Sequence, residues 1–83
     1  IDLGNAMLAY IQLLQLRDRT WVNTNSKPTG TDYFSIVYDK SSNNFYVVTS
    51  IYLYRPLSFS SMEIANKFMQ LHLSLLLEAQ PVL

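Results

Sequence analysis

Apolar residues recur at helical spacing over the first part of the chain. Leu3, Met7, Tyr10 and Leu14, joined by Ala6 and Leu13, share one face of a helix expected over residues 3–19. Asp2 or Asn5 is placed to cap its start. Leu8 and Leu16 lie well off that face. A helix apolar on more than one side is either sandwiched in its own fold or shared with another chain. Arg17, Asp18 and Arg19 are expected to close the helix, with positive charge near its negative end. Trp21 and Val22 then form a short apolar stop. Residues 23–32 (NTNSKPTGTD) collect Asn, Ser, Pro and Gly and read as a flexible loop.

The period then changes from helical to alternating. Tyr33 to Tyr38 (YFSIVY) and Phe45 to Tyr54 (FYVVTSIYLY) are β-branched and aromatic runs around a polar turn, and they predict a β-hairpin. Pro56 breaks the second run, and Leu57 to Phe59 forms a short third strand, with the proline suited to an edge or bend. Alternation sets Phe45, Val47, Thr49, Ile51 and Leu53 on one side of the second strand. Tyr46, Val48, Ser50, Tyr52 and Tyr54 fall on the other. In the first strand Phe34 and Ile36 oppose Tyr33, Ser35 and Val37. The aliphatic set should face the helices and the tyrosines should line the outer face. A bulge near Thr49 and Ser50 would instead turn Ile51 and Leu53 outward.

A second helix follows with strong signals. Ser60-Ser61-Met62-Glu63 matches a capping box. Ile64, Phe68, Leu71 and Leu75 make one stripe, widened by Ala65, Met69, Leu73 and Leu76. Asn66, Lys67, Gln70, Ser74 and Glu78 form the polar face, where Leu77 is the one apolar residue out of pattern. Pro81 ends the helix. The predicted fold is therefore α+β in the order α-β-β-β-α. A three-stranded antiparallel sheet carries both helices on one face, in a single domain over residues 1–83. The chain opens on Ile1 rather than Met, which fits a piece of a longer chain.

Composition sharpens this picture. The 83 residues carry six basic and six acidic side chains, for a net charge of zero, and only 14% are charged. Small solvated domains usually carry about a quarter. Some of the surface must then be neutral and apolar, and such patches tend to be interfaces. Zero net charge argues against a nucleic-acid partner, which needs a basic footprint. No cysteine means no disulfide framework and no thiolate metal site. No apolar run is long enough to cross a bilayer, and no leader pattern opens the chain.

Candidate chemistry is sparse. His72, the single histidine, falls in the apolar arc of the last helix with no Ser or Asp at helical spacing to partner it, so a packed imidazole is the simpler reading than a general base. One histidine cannot hold a metal, and the carboxylates are scattered. With two distant glycines no phosphate-binding loop or nucleophile elbow is present. The expectation is a non-enzyme with no cofactor and no metal. Tyr33, Tyr46, Tyr52 and Tyr54 on the sheet, with Leu8, Leu16 and Leu77 off the helix faces, are the candidate partner-binding residues. Rigid aromatics are favoured anchors at interfaces. The bland alternative is a solvent face on which Tyr is simply a good strand residue.

Leu16-Arg17-Asp18 followed by Trp21, the aromatic hairpin, and the junction Leu57-Ser58-Phe59-Ser60-Ser61 with Glu63, Ile64, Ala65 and Phe68 resemble small uncharacterised proteins of bacteriophages and prophages. The resemblance implies a viral or mobile-element origin, a bacterial cytoplasm and no activity. The expected function is a protein–protein interaction or assembly module that self-associates, with a host or viral protein as a further partner. The alternative is a single-strand nucleic-acid accessory protein that uses the aromatic sheet face.

Overall fold

A computed structural model describes residues 3–29, 33–50 and 55–83. In chain order these form α1 (Leu3–Thr24), β1 (Tyr33–Asp39), β2 (Asn44–Ser50), β3 (Ser58–Phe59), α2 (Met62–Leu71), α3 (Leu73–Ala79) and a 3-10 turn at Gln80–Val82. The class is the expected α+β, helix first, then strands, then helices. The tail of the long second run, with Tyr52 and Tyr54, lies outside the described residues.

The sheet is three-stranded and antiparallel, in the order β2-β1-β3. β3 pairs with β1 rather than extending the hairpin from β2, so the chain changes edge between β2 and β3. The register sets Ile36 opposite Val47 and Tyr38 opposite Phe45, while Phe34 faces Thr49 on one side and Phe59 on the other. Opposed residues share a face, so Phe34, Ile36, Tyr38, Phe45, Val47 and Phe59 form the inner surface that alternation predicted. α2 packs against all three strands, and α1 packs on α3. The core joins Leu13 and Trp21 of α1 to Ile36, Phe45, Phe59, Phe68 and Leu76. Phe59 and Phe68 are fully buried with ring centroids 5.0 Å apart. Each such side chain contributes roughly 1.5–3 kcal/mol by leaving water.

The buried face of α1 is the expected one over Ala6, Tyr10, Leu13 and Leu14, but not at its start. Ala6, Ala9, Leu13 and Trp21 are buried, whereas Leu3 and Met7 stand exposed. Ala9 shares the core cluster with Leu76 and Ala79 of α3, and small residues on a helix face let a neighbouring helix approach closely. α1 also runs to Thr24, so Arg17, Asp18 and Arg19 sit inside it and Trp21 belongs to its last turns. Asn5 lies within the first turn rather than ahead of it.

The C-terminal end of α1 is closed by backbone chemistry. Asn25 takes a left-handed φ of 53°, and the Ser26 amide donates to the Trp21 carbonyl at 3.2 Å, the six-to-one bond of a Schellman motif. The Ser26 carbonyl then accepts from the Ser60 amide at 2.8 Å. The flexible loop expected over 23–32 is therefore corrected at its start. Asn23 and Thr24 are helical and Ser26 is buried and tied down, while residues 30–32 lie outside the described part.

The last helix differs in two respects. Its N-cap is Ser61, whose hydroxyl accepts from the Ile64 amide at 3.5 Å, so the capping box expected from Ser60 is displaced by one residue. Glu63 instead faces Lys67 at 3.5 Å in an exposed pair worth little. The helix is also broken at His72, whose φ of −118° and ψ of 28° interrupt α2 and α3 while main-chain bonds continue across it. The break redirects the apolar stripe. Leu76 and Ala79 are buried, but Leu71 and Leu73 are exposed.

Candidate interaction site

Charge divides α1 into two unlike halves. Its first fourteen residues, Leu3 to Leu16, carry no charge. Leu3, Met7 and Ile11 recur at i, i+4 and i+8 on one stripe, with Leu8 beside Ile11, and all four are about half exposed. Leu77 on α3 is exposed at 54%. Leu16 is different. It is half-buried and packs against the core, so its place off the helix face is corrected.

The second half of α1 is fastened to the entry of β3. The Trp21 indole N–H donates to the Ser58 carbonyl at 2.8 Å. The Arg17 guanidinium lies 4.2 Å from the Trp21 ring centroid, donates to the Pro56 carbonyl at 2.7 Å and pairs with Asp18 at 2.7 Å. Lys27 approaches the same ring at 5.8 Å. These contacts are a structural clasp. The cations are spent on the indole, the carboxylate and the chain itself.

On the outer face of the sheet the expected tyrosine surface is smaller than alternation implied. Ser35 and Ser58, opposite one another on β1 and β3, are fully buried with their hydroxyls 2.8 Å apart. Ser58 spends its proton on the Arg55 carbonyl, so Ser35 is the donor between them. A satisfied hydroxyl pair occupies the middle of this face, where an open aromatic surface was expected. Tyr33 is half-buried and Tyr46 is exposed; Tyr52 and Tyr54 fall outside the described residues. A base-stacking platform needs successive exposed aromatics. Among the described residues of this face, Tyr46 supplies one.

His72 lines an apolar groove of about 260 Å³ between the end of α1 (Thr20, Asn23, Thr24) and α2 (Ile64, Lys67, Phe68, Leu71). Its ring meets Phe68 edge-on at 4.6 Å, and burial pushes its pKa below 6.5. Among the described residues there is no group of three or more His, Asp or Glu able to hold a metal, and no helix long and apolar enough to cross a membrane.

In the hairpin turn, Asp39 accepts from the Ser41 and Ser42 hydroxyls at 2.8 and 2.9 Å and from the Ser41 amide at 3.1 Å. The Ser41 hydroxyl, then that of Ser42, hold its carboxyl below the ordinary range. This is turn chemistry: a carboxylate at the end of a strand bonding hydroxyls and an amide two and three residues on.

No family model, curated protein or solved structure matches the chain. The resemblance to phage-encoded proteins thus gains no support from relatives. The exposed stripe sets Leu3 and Met7, expected on the packed face, beside Ile11, which the helical pattern left unassigned. The signal that could have found it is the absence of any charge from Leu3 to Leu16, with apolar residues on more than one side of the helix.

Proposed function

We propose that this protein is a non-catalytic assembly module that self-associates through the N-terminal half of α1. One observation carries the reading: Leu3, Met7, Leu8 and Ile11 form a contiguous apolar surface without a charge among them, at the end of the helix the rest of the fold leaves outside. Exposed apolar clusters of this kind mark contact surfaces. Zero net charge adds no repulsion between two copies.

Sedimentation of the native chain and of a Met7→Glu/Ile11→Glu variant tests the reading. Both side chains are about half exposed and lie outside the core cluster, so the variant should keep the native circular dichroism and a denaturation midpoint close to native. The native chain should sediment as an oligomer and the variant as a smaller species. A native monomer at high concentration, or a folded variant that associates as before, overturns the proposal.

A further inference from the structure

The sheet carries a second surface whose chemistry is narrower than apolar contact. β2 is an edge strand: among the described residues only β1 borders it. Its seven residues, NFYVVTS, contain no charge, no proline and no glycine. Edge strands normally carry such features because an unpaired row of amides and carbonyls templates another strand. Here none of them is used.

The ladder shows which groups are unpaired. The Ile36 amide donates to the Leu57 carbonyl of the β3 side at 2.9 Å, so the polar backbone groups of Ile36 point away from β2. Ile36 and Val47, which are register partners, therefore form a non-hydrogen-bonded pair, and the amide and carbonyl of Val47 point away from the sheet. By the two-residue alternation, those of Phe45 and Thr49 do the same. Three residues thus offer outward donors and acceptors, centred on Val47.

Such a row is self-complementary. We propose that two copies of this chain pair antiparallel through β2, with Val47 opposite its own counterpart and Phe45 opposite Thr49 of the partner subunit. The three sheet strands of each copy then become one continuous six-stranded sheet. Each of these opposed residues exchanges two N–H···O bonds with its partner. Two-fold symmetry makes the same patch serve both sides. The register also places exposed Tyr46 opposite half-buried Val48 of the partner subunit on the outer face, an aromatic against a β-branched residue, which stabilises a strand pair. With no charge on β2, nothing along the seam repels its copy. The inference rests on the reading that the protein self-associates, and it names a different contact from the α1 surface.

A register-specific cross-link tests it, because the chain has no cysteine of its own. Tyr46→Cys and Val48→Cys chains, carrying distinguishable tags, are mixed and oxidised. Positions 46 and 48 face each other as a non-hydrogen-bonded pair with Cα atoms roughly 4.5 Å apart, within disulfide reach, whereas two copies of position 46 lie diagonally, at roughly 7–8 Å. The mixture should give the mixed disulfide dimer, and Tyr46→Cys alone should not. A second variant, Thr49→Pro, removes an outward donor from an exposed position without touching the β1 ladder, and should raise the dimer dissociation constant roughly tenfold or more.

Failure of the mixed disulfide in a chain that sediments as an oligomer overturns the edge pairing and leaves the α1 reading standing. A mixed disulfide in a chain whose association is unmoved by Met7→Glu/Ile11→Glu keeps the edge pairing and removes the α1 surface. A monomer throughout overturns both.

Discussion

The two halves of α1 belong to one uninterrupted helix and use their side chains in opposite ways. From Leu13 to Thr24, packing and polar contacts converge. Leu13 is buried, Trp21 is bonded to Ser58, Arg17 spans from the indole to Pro56, and Asn25 and Ser26 close the end. From Leu3 to Gln12, Ala6 and Ala9 are buried and Tyr10 packs against the core, while Leu3, Met7, Leu8 and Ile11 stay about half exposed. Position along the helix decides this, because Tyr10 and Leu14 share a face with Leu3 and Met7 and still pack against the core. A helix can thus be more apolar where it is less buried. Hydrophobicity along a sequence measures the tendency to leave water without saying into which partner.

The comparison breaks most visibly at Trp21. Trp21→Ala removes a buried ring, orphans the Ser58 carbonyl and releases Arg17, and should cost about 3–5 kcal/mol in denaturant unfolding. A loss below about 1 kcal/mol would show that the clasp is decorative. Ala9→Leu should come next, at about 1–3 kcal/mol, because it forces α1 and α3 apart where they touch. If Ala9→Leu is neutral, α1 and α3 are not closely packed at Ala9. By contrast, Met7→Glu/Ile11→Glu should change stability by less than about 0.5 kcal/mol for each residue while lowering the order of association, which separates the two halves into a stabilising and an interacting part.

The smallest effects are those of pH. His72 has its pKa depressed by burial, so it binds a proton less readily folded than unfolded. Its contribution is present above about pH 6.5 and is lost as pH falls through the folded pKa. Lys67 lines the same groove and adds a like charge once the imidazole is protonated. His72→Phe should flatten this part of the stability profile in denaturation series from pH 7.5 to 5. Asp39 behaves in the same direction further down. Held low by Ser41 and Ser42, it adds stability above its ordinary pKa of 3.8 that disappears as pH falls through the folded value. Asp39→Asn should remove only that lower step.

Much of the sheet was legible because a strand has just two faces. Once Phe34 and Ile36 were set inward, the partners Phe45 and Val47 followed by alternation. The helix faces were harder. α1 presents apolar residues in several directions, and only the neighbour chooses among them. The His72 break was hidden because the residues on both sides of it are good helix formers. The cap moved from Ser60 to Ser61 because adjacent serines have equal capping chemistry. Leu8 and Leu77 were rightly placed off the packed faces, and Leu16 was not, because at its depth the helix is flanked by the core on a wider arc.

The chain by itself determined the class, the order of elements, the inner face of the sheet and the scarcity of charge, all of which depend on local period and composition. The tertiary structure decided which strand β3 would join, which side of α1 would be covered, and that Ser35 and Ser58 would share a buried bond. Each of those depends on residues distant in sequence meeting in space. It also left β2 at an edge. That position turns an ordinary run of strand residues into a row of unpaired backbone groups, because a strand's spare hydrogen bonds exist only once its neighbours are known.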